Sequence, residues 1–141
     1  MWNWDVTKDH ASPAACSSAK SFVDHLNAVN DDFFVACLDI GHAEMKGLDT
    51  TAPEMIRALG AKVQALHIHD NDKWHDSHQI PFSMNIDFNA VAKALKEIGY
   101  SGYFTLEADA YLRKFDSSTV YDGIKNLCAS VKRLAEVYEK N

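Results

Sequence analysis

Four short segments of this 141-residue sequence carry the side chains that most often bind metal ions or transfer protons. They are Asp39-Ile-Gly-His42, His67-Ile-His69, Asp76-Ser-His78 and Glu107. A mixture of carboxylate oxygens and imidazole nitrogens suits Mn²⁺, Mg²⁺, Co²⁺ or Zn²⁺. Each residue alone has an ordinary structural explanation, as a turn residue, a packed ring or a solvated acid. Their placement relative to one another therefore decides whether they form a site.

Three apolar runs predict short buried strands of a parallel sheet, at residues 33–38, 62–68 and 103–106. In α/β proteins the functional groups gather beyond the carboxyl ends of the strands. We therefore expect Asp39, His69 and Glu107, which follow the three strands, to converge on one divalent metal. His67 and His69 lie on the same side of their strand. His69 is nearer the exit and is the better ligand, whereas His67, one layer deeper, is expected to lie behind the ligands or to pack in the interior.

Helix signals alternate with these strands. The predicted helices run from Ser17 to near Asn30, from the capping box of Thr51 and Glu54 to Gly60, from Asp87 to Gly99, and onward from Ser117 or Ser118 with Ile124 facing inward. The residues before Ser17 are expected to be irregular. The alternation predicts an α/β fold with right-handed crossovers. Three strands are too few for a closed barrel, which needs about eight.

The loop after the second strand is rich in donors. Asp76 and His78 can reach a common point if the loop is extended, although a solvated polar loop is the default explanation for this spacing alone. His42, three residues past Asp39, is similarly placed for a second metal or a substrate hydroxyl.

Composition excludes some classes of function. The net charge is -6 and no block of lysine or arginine could follow a phosphate backbone, so nucleic acid is not an expected partner. No apolar run approaches the roughly 18 to 20 residues of a membrane span, and the first ten residues do not resemble a secretory leader. The three cysteines include no CxxC pair and are expected to be reduced apolar fillers in a cytoplasmic protein.

The segments CLDIGHAEM, ALHIHDND, DSHQIPF and IDFNAVAKALKEIGYSGYFTLE resemble the sugar phosphate isomerase/epimerase superfamily, the xylose isomerase-like TIM barrels that include the type-two AP endonucleases. The resemblance covers most of residues 33–107. It implies a divalent metal held by a Glu, an Asp, a His and a second Glu, and Asp39, His69 and Glu107 match the last three. One departure is that Pro81-Phe82 replaces the usual Pro-Gly.

The resemblance also implies that the first four strands of such a barrel have no counterpart here. The chain opens just after the position of the fifth-strand Glu. Residues 1–141 are therefore expected to form one partial domain, the C-terminal half of a TIM (β/α)8 barrel with about three strands and flanking helices.

The implied activity is metal-dependent isomerisation or epimerisation of a sugar or sugar phosphate through an enediolate, with Glu107 as one of two acid/base carboxylates. Because the partner carboxylate is missing, the chain alone is expected to be weak or inactive. Trp2, Trp4 and Trp74 either wall the sugar site or pack without ligand contact.

Two rival functions remain open at this stage. His42, Asp76 and His78 resemble positions that bind additional zinc ions in the endonuclease branch and touch substrate in others. An AP endonuclease-like zinc phosphodiesterase is thus one alternative, although the acidic composition argues against it. The other is a non-catalytic half-barrel that self-associates, as a homodimer or a higher species, through its open edges.

Overall fold

The computed structural model describes all residues from 1 to 141. Its strands are β1 (Trp2–Asp5), β2 (His10–Pro13), β3 (Ala36–Asp39) and β4 (Val63–His67). Its helices are α1 (Ala19–Val29), α2 (Ile40–Ala43), α3 (Ala52–Leu59), α4 (Phe88–Glu97), α5 (Asp109–Leu112) and α6 (Val120–Lys140). A single 3-10 turn, Gly60–Lys62, leads into β4. No helix is long and apolar enough to cross a bilayer.

The parallel pair β3–β4 is the centre of the fold, and it confirms the predicted α/β class with parallel strands. Ile68, just beyond β4, forms a parallel bridge with Leu106. Leu38, Leu66 and Ile68 are fully buried against the helices. The alternate side chains of the same strands, such as Cys37 and His67, are exposed. Parallel sheets normally have both faces covered, whereas here only the helix side is packed.

Most predicted helix signals are confirmed. Thr51 and Glu54 form the capping box of α3, and Gly60 ends that helix with a φ of 53°. Asp87 accepts hydrogen bonds from the N–H groups of Asn89 and Ala90 at the start of α4. Gly99 follows α4 with a φ of 68°, a backbone conformation that favours glycine.

The first 16 residues were expected to be irregular, and this prediction is wrong. β1 and β2 form an antiparallel hairpin that pairs Trp2 with Pro13 and Asp5 with His10. The strands have only four residues each, so the alternation of apolar and polar side chains in Trp2-Asn-Trp-Asp5 is too short to distinguish a strand from a loop. The turn is held by Asp5, whose carboxylate accepts from the N–H and hydroxyl of Thr7.

Two predicted strands are shorter than expected. The run at residues 33–38 begins pairing only at Ala36, because Asp31 starts a turn and Phe33 is left 98% exposed. The run at residues 103–106 contributes only the bridge at Leu106, with Tyr103 outside the pairing and exposed. Both predictions were too long because the predicted runs were chosen by apolar composition, which does not show whether a residue has a strand partner.

Three further expectations are also wrong. The last helix begins at Val120 instead of Ser117 or Ser118, because Asp116 binds the N–H groups of the following turn. Ile124 on α6 faces solvent and is 42% exposed. Cys37 and Cys128 are exposed instead of filling the core, and all three cysteines are free.

Candidate metal centre

Asp39 links all parts of the site. It is the last residue of β3 and the N-cap of α2, and its Oδ1 accepts from the His42 N–H at 2.8 Å. Its Oδ2 lies 2.9 Å from His42 Nδ1, and its Oδ1 lies 3.3 Å from His69 Nε2. Burial acts to raise the pKa of Asp39, but the bonds from His42 and the nearby His69 ring outweigh this effect and hold the pKa well below its usual range.

One group of donors surrounds the buried His69. The ligand atoms of His42, His69, Asp76 and His78 all lie within 4.8 Å of one another. The rings of His69 and His78 stack with centroids 4.0 Å apart, and the His42 ring meets His69 edge-on at 5.1 Å. Asp76 Oδ1 is 3.2 Å from His42 Nε2 and 3.0 Å from His78 Nε2. The polar loop thus brings both Asp76 and His78 to the strand ends.

A second group of donors lies next to the first. Asp39, His67 and Glu107 also have ligand atoms within 4.8 Å of one another. Glu107 Oε2 is 3.0 Å from His67 Nδ1, and both side chains are partly exposed. Asp39 therefore stands between the two groups, within 3.3 Å of His69 and in the same cluster as Glu107.

The backbone helps to orient two of the imidazoles. His78 Nδ1 lies 2.8 Å from the carbonyl oxygen of Glu107, so donating a proton there leaves Nε2 free to accept or to ligate. Asp109 Oδ1 is 3.4 Å from the same Nδ1. The His69 ring lies directly against the backbone at Gly41, because a Cβ at that position would be 2.1 to 2.5 Å from the ring atoms.

The tryptophans occupy different surroundings. Trp2 meets the His42 ring edge-on, with centroids 5.8 Å apart, and Trp4 packs against Trp2 at 6.5 Å. Trp74 lies under the ammonium of Lys46, 5.7 Å from the ring centroid. Trp2 is thus the tryptophan in direct contact with the donor groups.

The donor set fits a divalent metal. Both nitrogens of the fully buried His69 ring lack a hydrogen-bond partner, a state that costs roughly 1–3 kcal/mol for each unsatisfied polar group. The neighbouring donors are separated by 2.9 to 3.9 Å. Ligands bound at about 2.1 Å to one cation are separated by similar distances. A cation bound among these donors would therefore give the unpaired His69 ring a partner.

Sequence reasoning did not identify two residues near the site, Asp109 and Asp70. Asp109 was not considered as a neighbour of His78. His67 was expected to lie behind the ligands or to pack in the interior, and it is half exposed and contacts the predicted ligand Glu107. Asp70, the residue after His69, is fully buried and holds the loop that carries Asp76.

His42 makes the metal-free chain sensitive to pH. Burial acts to lower the pKa of His42, but Asp39 and Asp76 outweigh it and raise the pKa from 6.5 to about 9. A raised pKa in the folded state stabilises the fold fully below pH 6.5, and this contribution is lost as the pH rises through 9. We expect His42→Gln to cost about 3 kcal/mol at pH 6 and much less above pH 9.5.

Urea unfolding in the presence of a chelator measures this difference. His25→Gln, which removes an exposed imidazole from α1, is the matched control and should cost little at either pH. An equal cost of His42→Gln at both pH values would contradict the prediction.

Comparison with known proteins identifies the family of this chain. A profile of the family described as Xylose isomerase-like TIM barrel matches residues 5–139. An uncharacterised protein of Methanocaldococcus jannaschii is 38% identical over 69 residues, which are 49% of this chain and 24% of that protein.

Two solved sugar epimerases share the fold. The structure of an L-ribulose 3-epimerase aligns with a TM-score of 0.57 and 21% identity, covering 83% of this chain and 35% of the other. That of the D-psicose 3-epimerase of Clostridium cellulolyticum H10 aligns with a TM-score of 0.67 and 18% identity, covering 86% and 44%. The chain thus spans about a quarter of the length of this curated relative and less than half of each of these two solved structures.

Proposed function

Because this chain belongs to the xylose isomerase-like TIM barrel family, we propose that it carries the metal-binding part of a sugar or sugar-phosphate isomerase or epimerase. The observation that supports the proposal is the position of the Asp39 carboxylate, which lies 3.3 Å from His69 and has a ligand atom within 4.8 Å of one on Glu107. His69 and Glu107 themselves belong to different groups of donors. The solved relatives are named as 3-epimerases of sugars, one of them with D-tagatose bound. We extend that substrate class to this chain.

In the proposed reaction Asp39, His69 and Glu107 hold a divalent metal, Mn²⁺, Mg²⁺, Co²⁺ or Zn²⁺. When bound, the metal would polarise the carbonyl and neighbouring hydroxyl of a ketose or aldose and so acidify the adjacent carbon. Glu107 removes that proton, and the substrate passes through an enediolate. Trp2, beside His42, would shield one side of the sugar from water.

Glu107 is the only one of the two expected acid/base carboxylates that we assign within this chain. We propose that residues 1–141 form the C-terminal half of the barrel and that the second carboxylate comes from outside it. A single carboxylate can remove and return a proton on the same face, so it can exchange the proton with solvent but cannot invert the carbon. The side chain of Glu107 is 40% exposed, which allows this exchange.

Deuterium uptake tests the proposal. The chain is incubated with D-allulose and Mn²⁺ in D₂O, and mass spectrometry follows the label. We expect slow uptake at the carbon next to the carbonyl, little net epimerisation, and a loss of roughly 100-fold or more in Glu107→Gln. Glu136→Gln, an exposed acid of α6, is the matched control.

Absence of label in a chain that binds the metal would contradict the proposal. Cleavage of an abasic-site duplex without any label uptake would instead favour the zinc phosphodiesterase, which would use His42, Asp76 and His78. The same assay with a sugar phosphate separates the two substrate classes. We also propose a cytoplasmic location, consistent with three free cysteines.

A second candidate function is assembly without catalysis. The uncovered face of β3 and β4 and the exposed Phe33 and Tyr103 favour self-association, because unpaired strand edges and apolar patches bind further chains. A homodimer or higher species is then expected. A compact monomer at micromolar concentration in light scattering would count against this candidate.

A further inference from the structure

The loop between β4 and α4 opens with three polar residues that the proposed reaction does not use. Asp70, Asn71 and Asp72 follow His69 directly, and Asp76 and His78 come later in the same loop. Asp70 is fully buried, and its carboxylate accepts hydrogen bonds only from backbone N–H groups. A buried charge of this kind needs a reason, because desolvation is costly.

The carboxylate of Asp70 binds the far end of the loop. Its Oδ2 accepts from the N–H groups of Ser83 at 2.9 Å and Met84 at 2.7 Å. Its Oδ1 accepts from the N–H groups of Asn71 at 2.9 Å and Ile86 at 3.1 Å. These four backbone N–H groups surround the Asp70 carboxylate and bind it by charge-assisted hydrogen bonds.

The backbone of Asp70 also fixes the residue after His78. The N–H of Asp70 donates to the carbonyl of Gln79 at 2.7 Å, and the Gln79 N–H donates back at 3.0 Å. His78 itself has a φ of 42°, a conformation that a side chain rarely adopts without support. Asp70 is thus hydrogen-bonded to two later parts of the same loop, at residue 79 and at residues 83–86.

The next residue ties the loop to the other strand. The side-chain amide of Asn71 donates to the carbonyl of Gly41 at 2.9 Å, beside the His69 ring. Its carbonyl oxygen accepts from the N–H of Lys73. The segment after His69 therefore connects the turn that follows β3 with both halves of the loop.

We propose that Asp70 is a positioning residue that holds the loop in the one arrangement in which His78 stacks on His69 and Asp76 reaches His42. The inference rests on the proposed function only for its effect on metal binding, because His69 is the one of these four side chains that the proposed reaction assigns to the metal. Asp70 does not contact the donors' ligand atoms, and acts by fixing the backbone that carries them.

Asparagine is a selective probe of this role. It has nearly the shape of aspartate, but its NH₂ group would replace one of the two carboxylate oxygens. That group would face two N–H donors, so two of the four backbone groups would lose their acceptor. Asp87→Asn is the matched control, because Asp87 also accepts from two backbone N–H groups and asparagine caps a helix equally well.

Amide hydrogen exchange of the metal-free chain, read by NMR, tests the geometry directly. In the wild-type chain we expect the Ser83, Met84 and Ile86 amides to be protected. In Asp70→Asn, protection at Ser83 and Met84 should fall at least tenfold while the amides of β4 and α4 keep theirs. A Co²⁺ titration should then show a dissociation constant raised roughly 10- to 100-fold, as for other partners that orient ligands.

The outcomes separate this inference from the proposed function. If the wild-type chain binds no Co²⁺, the proposed function fails, and the exchange data alone decide whether Asp70 fixes the loop. Unprotected Ser83 and Met84 amides in the wild-type chain would overturn the inference even if the variant fails to fold. Loss of protection at all amides of the Asp70→Asn variant would also overturn the inference. So would a variant whose amide protection and Co²⁺ affinity both equal those of the wild-type chain.

Discussion

Replacing Asp39 with asparagine is expected to lower the affinity of the chain for Co²⁺ by more than roughly 100-fold and to leave the fold intact. Mutation of a residue that only orients a metal ligand typically lowers metal affinity roughly 10- to 100-fold, and removal of a direct ligand should lower it more. Asp39 belongs to one donor group and its carboxylate reaches the other, with oxygens 2.9 Å from His42 and 3.3 Å from His69. Asparagine keeps the oxygen that accepts from the His42 N–H but loses the negative charge.

The visible spectrum of bound Co²⁺ and a urea titration measure the two effects separately. Asp122→Asn, which removes an exposed carboxylate from α6, controls for the change in net charge and should bind Co²⁺ as the wild-type chain does. Wild-type Co²⁺ affinity in Asp39→Asn would contradict the assignment of Asp39 as a ligand. It would leave His42, Asp76 and His78 as the centre instead.

The second large effect is expected at Gly41. Alanine normally stabilises a helix by up to about 1 kcal/mol relative to glycine. Here the new methyl group would lie 2.1 to 2.5 Å from the His69 ring, which is fully buried and cannot move outward freely. We expect Gly41→Ala to reduce the free energy of unfolding by about 3 kcal/mol and to displace His69 from the donor group.

A double-mutant cycle identifies the cause. In a His69→Ala background the ring is absent, so the same Gly41→Ala change should be nearly neutral in urea unfolding. An equal loss of stability in both backgrounds would show that Gly41 is required for its backbone alone. The stacking of His69 against that backbone would then be incidental.

The parts of the fold that were predictable from the sequence are those set by local chemistry. The capping box at Thr51, the cap at Asp87 and the glycine at Gly99 act within one helical turn, so the residues nearby determine them. The hairpin at β1–β2 and the short pairing at Leu106 depend on a partner strand. Composition within a short window contains no information about such partners.

The same distinction applies to the site. Asp39, His69 and Glu107 could be selected because each follows a predicted strand, and parallel strands end at a common edge. Asp70 could not, since its bonds go to residues 13 to 16 positions further along the chain. A buried acid without a cationic partner has no local sequence pattern, and its role appears only when the loop is folded back.

The uncovered face of β3 and β4 should affect how much of the newly synthesised chain folds without aggregating. Until another surface covers the side that bears Cys37 and His67, the chain presents what chaperones recognise, apolar side chains next to unpaired backbone groups. Its yield should therefore depend on concentration and temperature more steeply than that of an ordinary 141-residue domain. The thiol of Cys37 would give a maleimide label on that face, and so report when the face becomes covered.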